Sequence, residues 1–385
     1  MINETDFYQK LKSQLEKGLP FVAYRKPVEN KNTVKALLQN NSEIFTIKDL
    51  SESGFVFAPF NPEKPSYIIP FEDSEIYEVD NISTEGIDSE LYEYLATGTD
   101  FEYMEEDQKI HENLVQKGID RIKAGDFKKV VLARSEKVQV YDPDPVRIFK
   151  KLLNKYSQAF VYIWFHPETG CWLGATPETL LNAERNRFKT MALAGTQLFK
   201  GEEDVEWDKK EVEEQLFVTD YILESLDKIG DIKTTHVSEP YSAKAGNLLH
   251  IRTDITGSLA SPEKLGELIR TLHPTPAVCG LPKHTALQFI LGNEKKSREF
   301  YSGYLGELNM KTETRRSSNT RNQENQQFAA VTSKTELYVN LRCMKLKEGN
   351  ARVFIGGGIT KDSNAADEWM ETVNKSQTMK AVLVK

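Results

Sequence analysis

The chain has 385 residues, with 50 Lys and Arg against 58 Asp and Glu, a formal charge of −8 with histidine neutral. A chain this long buries about three quarters of its unfolded surface, so it folds without disulfide or zinc staples. Its three cysteines, Cys171, Cys279 and Cys343, are odd in number and far apart, which fits small buried hydrophobes and neither a disulfide framework nor a metal site.

The acidic balance argues against nucleic acid as a partner, because phosphate binding wants a basic field. No apolar run approaches the roughly 18 residues a bilayer span needs, so no membrane partner is expected. The opening MINETDFYQKLKSQLEKGLP has no cationic-then-apolar leader, and the cytoplasm is the expected compartment.

In chain order, residues 1–20 read as a short helix, and Phe21–Arg25, Gly54–Ala58 and Ser66–Pro70 as strands between turn signals. The patterns sharpen from about Ile110. His111–Ala124 reads as a helix closed by Gly125, followed by the strand Lys129–Arg134. Ala159–Phe165 and Cys171–Ala175 form a hairpin, and helices cover Asp208–Lys228 and Pro262–Thr271. Strands Leu337–Leu346 and Ala351–Ile355 flank a Gly349-Asn350 turn. Strands and helices interleave in both halves, so the class is mixed α/β with long antiparallel stretches. Residues 311–327, KTETRRSSNTRNQENQQ, carry no aliphatic or aromatic side chain. Such a stretch cannot offset its ordering entropy, and it reads as a mobile hairpin tip.

Several residues are suited to chemistry. Strand alternation puts Lys129, Val131 and Ala133 on one face. A lysine facing an apolar interior favours the neutral amine a general base needs, whereas a lysine at a strand entrance is often just solvated. Glu178, in GATPETLL, is either a general acid raised by desolvation or a first-turn helix residue favoured by the helix dipole. In the Asp208–Lys228 helix the apolar stripe reads Val212, Leu216, Ile222, Leu223 and Leu226, with Glu214 at its edge beside Val218 and Tyr221. There it either holds a divalent cation or is simply solvated. Near the end, Asn364 caps a helix on which Glu368, Glu371 and Lys375 share a face. That face is either an exposed ion pair or part of a metal and carboxylate site. Gly356-Gly357-Gly358 ahead of it leave backbone N–H groups open to an anion, or form a plain hinge.

Taken in order, the blocks KVVLAR, GATPETLL, ALAGT, Lys210 to Glu214, LLHIRTDITG, LHPTPAVCGLPK, SREFYSGYLGEL, VNLRC and GGGIT…EWMETVNK resemble the chorismate-utilising enzymes from about residue 110 to the end. The resemblance implies one domain over 1–385, in which two packed, largely antiparallel sheets are ringed by helices. Residues 1–109 would be its variable part and 110–385 the core with the active site. It makes Lys129 the general base, Glu178 the general acid, and Glu214 and Glu371 the carboxylates on one Mg²⁺. Lys375 and the metal would take the ring carboxylate of chorismate near Gly195 and Thr196. Arg342, Tyr301 and the Gly356 N–H would take the enolpyruvyl carboxylate, and His250 would lie near the leaving hydroxyl.

Two departures bear on the branch of the family. Ala194 stands where enzymes that use a lysine nucleophile carry Lys, and Pro276-Ala277-Val278 stands where aminating members carry Gly-Thr-Leu. Both are similar to the isochorismate synthases, whose nucleophile is water, and no glutaminase subunit is expected. The sequence shows no long apolar seam, so a monomer is the default. The alternatives are a salicylate synthase, which adds pyruvate elimination, and a non-catalytic chorismate-binding protein. The resemblance leaves open whether the product serves menaquinone or a siderophore.

Overall fold

The computed structural model describes residues 2–27, 32–80, 105–199, 201–202, 205–230, 232–245, 248–314 and 330–383. Its strands are β1 Phe21–Arg25, β2 Thr33–Gln39, β3 Gly54–Ala58, β4 Tyr67–Pro70, β5 Ser74–Asp80, β6 Lys129–Gln139, β7 Phe160–His166, β8 Gly170–Thr176 and β9 Thr179–Glu184. They continue with β10 Arg187–Leu198, β11 Ile232–Val237, β12 Tyr241–Ala245, β13 Leu248–Leu259, β14 Gly280–Leu281, β15 Tyr304–Thr314, β16 Ala330–Val339, β17 Cys343–Lys347 and β18 Asn350–Ile359. The helices are α1 Glu4–Lys17, α2 Glu105–Lys123, α3 Pro145–Lys155, α4 Lys209–Asp227, α5 Leu265–Leu272, α6 Lys283–Asn293 and α7 Ala365–Lys380.

Among the described residues the strands form two antiparallel sheets. The first runs β14-β6-β18-β17-β8-β7-β1-β2-β5, and the second runs β11-β13-β10-β9-β16-β15-β3-β4 with β12 added to β13. The first eighty residues contribute strands to both sheets, so that part cannot be separated from the rest. None of the described helices is long and apolar enough to cross a membrane.

Aromatic side chains fill the space between the sheets. Tyr24, Phe160, Tyr162, Trp164 and Trp172 come from the first sheet, and Phe55, Phe57 and Tyr338 from the second. Phe160 stacks on Tyr338 with ring centroids 4.2 Å apart, and Phe57 stacks on Phe300 at 4.4 Å. The polar tips that this burial would strand are satisfied: the Tyr162 hydroxyl donates to Asn340 Oδ1 at 2.7 Å, and the Tyr24 hydroxyl donates to Glu307. The outer faces are covered separately, by α1 and α3 on one sheet and by α4 and α5 on the other.

Two neighbouring crossings carry the chain between sheets. One is Pro177-Glu178, between β8 and β9. The other is Asn340-Leu341-Arg342, between β16 and β17. They run side by side: Val339 N donates to the Glu178 carbonyl at 2.9 Å, Ala175 N to the Arg342 carbonyl at 3.0 Å, and Thr176 Oγ1 to the Val339 carbonyl at 2.6 Å. The single strand expected over Leu337–Leu346 is therefore two strands in different sheets. The break is at Arg342, whose φ of 45 lies in the left-handed region. Apolar residues on either side of Asn340-Leu341-Arg342 let the two strands read as one.

The tip expected at 311–327 differs at its start, since Lys311 to Thr314 belong to β15 and pair with β16 out to Thr314 and Ala330. Residues 315–329 lie outside the described residues.

Gly303, in the SGYLGEL block, lies where backbone meets backbone. A Cβ there would stand 1.9 Å from the Ala58 carbonyl oxygen, and the Gly303 carbonyl accepts from Asn340 N at 2.8 Å beside the second crossing. Gly303→Ala is expected to destabilise the protein by about 3 kcal/mol or more. Urea unfolding measures this, and an unchanged midpoint would contradict the close approach.

Candidate active site

The β6 register fixes the floor of the site. Val131 pairs with Gly358 and Ala133 with Gly356 on β18, so alternation puts Lys129, Gly356 and Gly358 on one face of the first sheet. Lys129 is buried, and its Nζ lies 2.5 Å from Oε1 of Glu214 on α4. A Cβ at Gly358 would stand 3.2 Å from Lys129 Cε, so glycine makes room for the lysine to lie across β18. α4 packs on β10 and β13 of the second sheet. The ion pair therefore joins the two layers.

Glu178 sits on the first crossing, with its side chain buried. It does not begin a helix; β9 follows immediately, which removes the reading as a first-turn residue. Burial pushes its carboxyl up to about 7, opposed by the positive charge of Lys129. The two groups are thus neighbours, one on a strand of the first sheet and one on the turn that leaves it.

His250, half-buried on β13, has Nδ1 2.8 Å from the Gly195 carbonyl oxygen. The β10–β13 register shifts between Ala194 and Gln197, and Gly195 takes φ 70 at this bulge, which turns its carbonyl to the ring. A carbonyl only accepts, so Nδ1 carries the proton. Burial lowers the imidazole to about 4, helped by the positive charges of Arg342 and Lys375. The ring is therefore neutral, with Nε2 as an acceptor. Arg342, on the second crossing, is itself lowered by burial. The side chain of Thr196 lies outside what is described.

On the other face of β18, Gly357 looks towards α7. A Cβ there would stand 3.3 Å from Oε2 of Glu368 and 3.9 Å from Oε1 of Glu371. Lys375 Nζ is 2.5 Å from Glu371 Oε1 and donates to the Gly356 carbonyl at 3.3 Å. The Tyr301 hydroxyl would stand 2.8 Å from a Cβ on Gly356, so it occupies the space that glycine leaves. Asn364 caps α7 as its sequence implies, accepting from Ala366 N and Asp367 N. Ala277 is half-buried in the Pro-rich segment beside β6, where Cys279 accepts from Val131 N at 2.9 Å.

Glu214 and Glu371 thus reach consecutive glycines of one strand, each engaged by a lysine. Among the described residues no set of three or more His, Cys, Asp or Glu side chains is gathered closely enough to hold an ion as it stands. The donor chemistry nevertheless fits Mg²⁺. Only carboxylate oxygens are offered, and a hard dication binds through one or two carboxylates plus substrate. Glu368, three residues before Glu371 on the same face of α7, is the carboxylate nearest Gly357.

The stripe read on α4 is corrected. Val212 and Leu216 are exposed, and the buried line is Gln215, Val218, Thr219, Ile222, Ser225 and Leu226. Apolarity alone misplaced it by about one residue because Gln215 and Thr219 are buried polar positions. A cavity of about 1040 Å³ opens between the sheets beyond His250 and Arg342, with Lys155, Lys189, Lys244 and Arg252 on its walls. Its walls do not include Lys129 or Glu178, so it adjoins the site rather than containing it.

The raised Glu178 carboxyl has a consequence for stability. An acid raised from 4.5 to about 7 on folding holds more protons in the native state, so stability falls as pH rises through that window. Relative to wild type, Glu178→Gln is expected to gain on the order of 2–3 kcal/mol between pH 4.5 and 7 and then level off. Denaturation at stepped pH measures this, and a pH-independent difference would contradict a raised carboxyl.

Residues 88–329 match the sequence profile described as chorismate binding enzyme, and residues 328–381 match a second profile of the same description. The chain is 27% identical over 289 residues to isochorismate synthase DhbC of Bacillus subtilis (strain 168), a match covering 70% of this chain and 66% of that protein. It is 29% identical over 285 residues to anthranilate synthase component 1 of Lactococcus lactis, covering 70% and 56%. It is also similar to the salicylate biosynthesis isochorismate synthase of Pseudomonas aeruginosa, at 27% identity over 70% of this chain and 53% of that protein. The matched stretch thus spans between about half and two thirds of these relatives' length. In fold, the structure is similar to the crystal structure of a putative 2,3-dihydroxybenzoate-specific isochorismate synthase from Bacillus anthracis. That match has a TM-score of 0.71 and 22% identity and covers 96% of this chain and 99% of that one. The menaquinone-specific isochorismate synthase MenF from Escherichia coli also gives a TM-score of 0.71, at 20% identity over 94% and 88% of the two chains. With most of its length matched in this way, the chain belongs to the chorismate binding enzymes.

Proposed function

We propose that the protein is an isochorismate synthase, an isomerase that adds water at C2 of chorismate and expels the C4 hydroxyl. The observation that carries this reading is buried Lys129 close to buried Glu178, whose carboxyl is held up to about 7 and so is still partly protonated near neutral pH. A base and an acid set in one buried region are what a reaction that removes one proton and donates another requires.

Lys129 takes a proton from the water that attacks C2, Glu178 gives its proton to the oxygen leaving C4, and the ring double bonds shift between the two carbons. One water enters and one leaves, so no further reactant is needed. Lys129 cannot accept a proton while it donates to Glu214 at 2.5 Å, so Glu214 must first be engaged by another cation. Glu214 and Glu371 are the residues that would hold Mg²⁺, with Glu368 beside them, and the ion would neutralise and polarise the ring carboxylate. Lys375 shares that carboxylate. Arg342, Tyr301 and the Gly356 N–H take the enolpyruvyl carboxylate, and the neutral Nε2 of His250 accepts from the ring hydroxyl. Gly195, Thr196 and Ala277 border the ring. The small apolar Ala277, in place of a threonine, favours water over ammonia as nucleophile.

Incubation of purified protein with chorismate and Mg²⁺ is expected to give isochorismate by chromatography, with no pyruvate detected by coupling to lactate dehydrogenase. Stoichiometric pyruvate would instead make the enzyme a salicylate synthase, and no turnover would leave a chorismate-binding protein. Lys129→Ala is expected to lower kcat by about 10²-fold or more while chorismate still binds. An unchanged rate would remove the lysine from the chemistry. In wild type, kcat/KM is expected to fall as pH rises past about 7, where free Glu178 loses its proton. A flat profile between pH 6 and 9 would contradict its role as acid.

A further inference from the structure

Apart from the Glu214–Lys129 ion pair, the first two turns of α4 bury few side chains. Among the described side chains of 209–217, Val212, Leu216 and Phe217 are 37%, 44% and 44% exposed, and Gln215 alone is fully buried. The apolar anchors Val218, Ile222 and Leu226 come only in the turns that follow. At the helix start, Glu211 Oε2 takes a half-buried bond from Gln197 Nε2 at 3.2 Å and an exposed one from Asp208 N at 3.3 Å.

Gln215 is bound differently. Its Nε2 donates to Thr253 Oγ1 of β13 at 2.7 Å and to Thr219 Oγ1 at 2.9 Å. The Thr219 hydroxyl spends its own proton on the Gln215 carbonyl at 3.2 Å, which fixes the amide with nitrogen towards the threonines. Its Oε1 is left buried with no hydrogen-bond partner. An unpaired buried acceptor costs stability, and an apolar residue of the same size would avoid that cost. The side chain therefore does something other than fill space. The residue next to it is Glu214.

We propose that Gln215 is a positioning residue, an amide tether to Thr253 that fixes the first turns of α4 so that the Glu214 carboxylate stays over Lys129 and Gly358 to receive a divalent cation. This rests on the reading of Glu214 as a metal carboxylate. The tether acts through the backbone: with Gln215 pinned to β13, its neighbour can only point across the cleft towards β6. Without it, the exposed first turns are free to fray, and the carboxylate moves with them. Outer residues that orient a metal ligand commonly set metal affinity by 10–100-fold, so the effect belongs on binding of the ion more than on global stability.

The test uses the full chain and Mn²⁺ as probe, followed by loss of the free-ion EPR signal with and without chorismate. Gln215→Met keeps the volume and removes the tether. Gln215→Met combined with Thr253→Val removes both partners, which restores much of the stability lost with one. Both variants are expected to bind Mn²⁺ about tenfold or more weakly, although the double variant regains melting temperature. In both, hydrogen exchange is expected to quicken at the amides of 212–217 and to stay unchanged from 219 to 226. Mn²⁺ affinity within twofold of wild type in the double variant would overturn the proposal. Glu214→Gln separates the two readings. If it leaves Mn²⁺ binding intact, or wild type binds no Mn²⁺, the metal reading fails by itself, and unchanged exchange at 212–217 in Gln215→Met then overturns the tether as well.

Discussion

The arrangement depends on one contact, the ion pair between Lys129 and Glu214. It joins a strand of the first sheet to a helix laid on the second, across a region where the lysine is almost wholly buried. A buried ammonium has to be paired, and removing its partner leaves an uncompensated charge that costs several kcal/mol, about 3–5 in comparable cases. The pair therefore keeps the two layers in register at the site. A second pair of the same kind, Lys375 with Glu371, lies on the other face of β18.

Glycines and crossings do the rest of the positioning. Gly356, Gly357 and Gly358 leave space on alternate faces of one strand for Tyr301, for the α7 carboxylates and for Lys129. Glu178 and Arg342 lie on two chain crossings that are hydrogen-bonded to each other. A residue on such a crossing faces the space between layers without belonging to either sheet. This is how a glutamate can be buried deeply enough to hold its proton near neutrality, and how an arginine can stay close to a neutral histidine. The net charge of −8 does not reach this region, whose adjoining cavity carries more cationic than anionic side chains.

Much of the fold was legible. β1 and β3 match their sequence-based bounds, and Asp208 stands at the start of α4 as expected. Alternation also placed Lys129 and Val131 on a common face. What escaped were features that one-dimensional patterns do not encode. Leu337–Leu346 has apolar residues on both sides of a sheet change at Asn340-Leu341-Arg342, so the pattern read as one strand. The buried face of α4 contains Gln215, Thr219 and Ser225, so a count of apolar residues put the stripe on Val212 and Leu216, which are exposed. Glu178 sat behind Thr-Pro, a helix-start signal, yet a strand follows. The candidate residues were proposed from their order along the chain, and their contacts came from the fold alone.

The central claim is that a lysine base and a glutamic acid, set in one buried region, exchange one water for another across the substrate ring. Its most direct measurement is the reaction of chorismate run in H₂¹⁸O with Mg²⁺, with mass analysis of the product. The account predicts isochorismate carrying one ¹⁸O, at the C2 hydroxyl. Product that retains only ¹⁶O at that position would mean the hydroxyl migrates within the substrate, and would contradict water activation by Lys129.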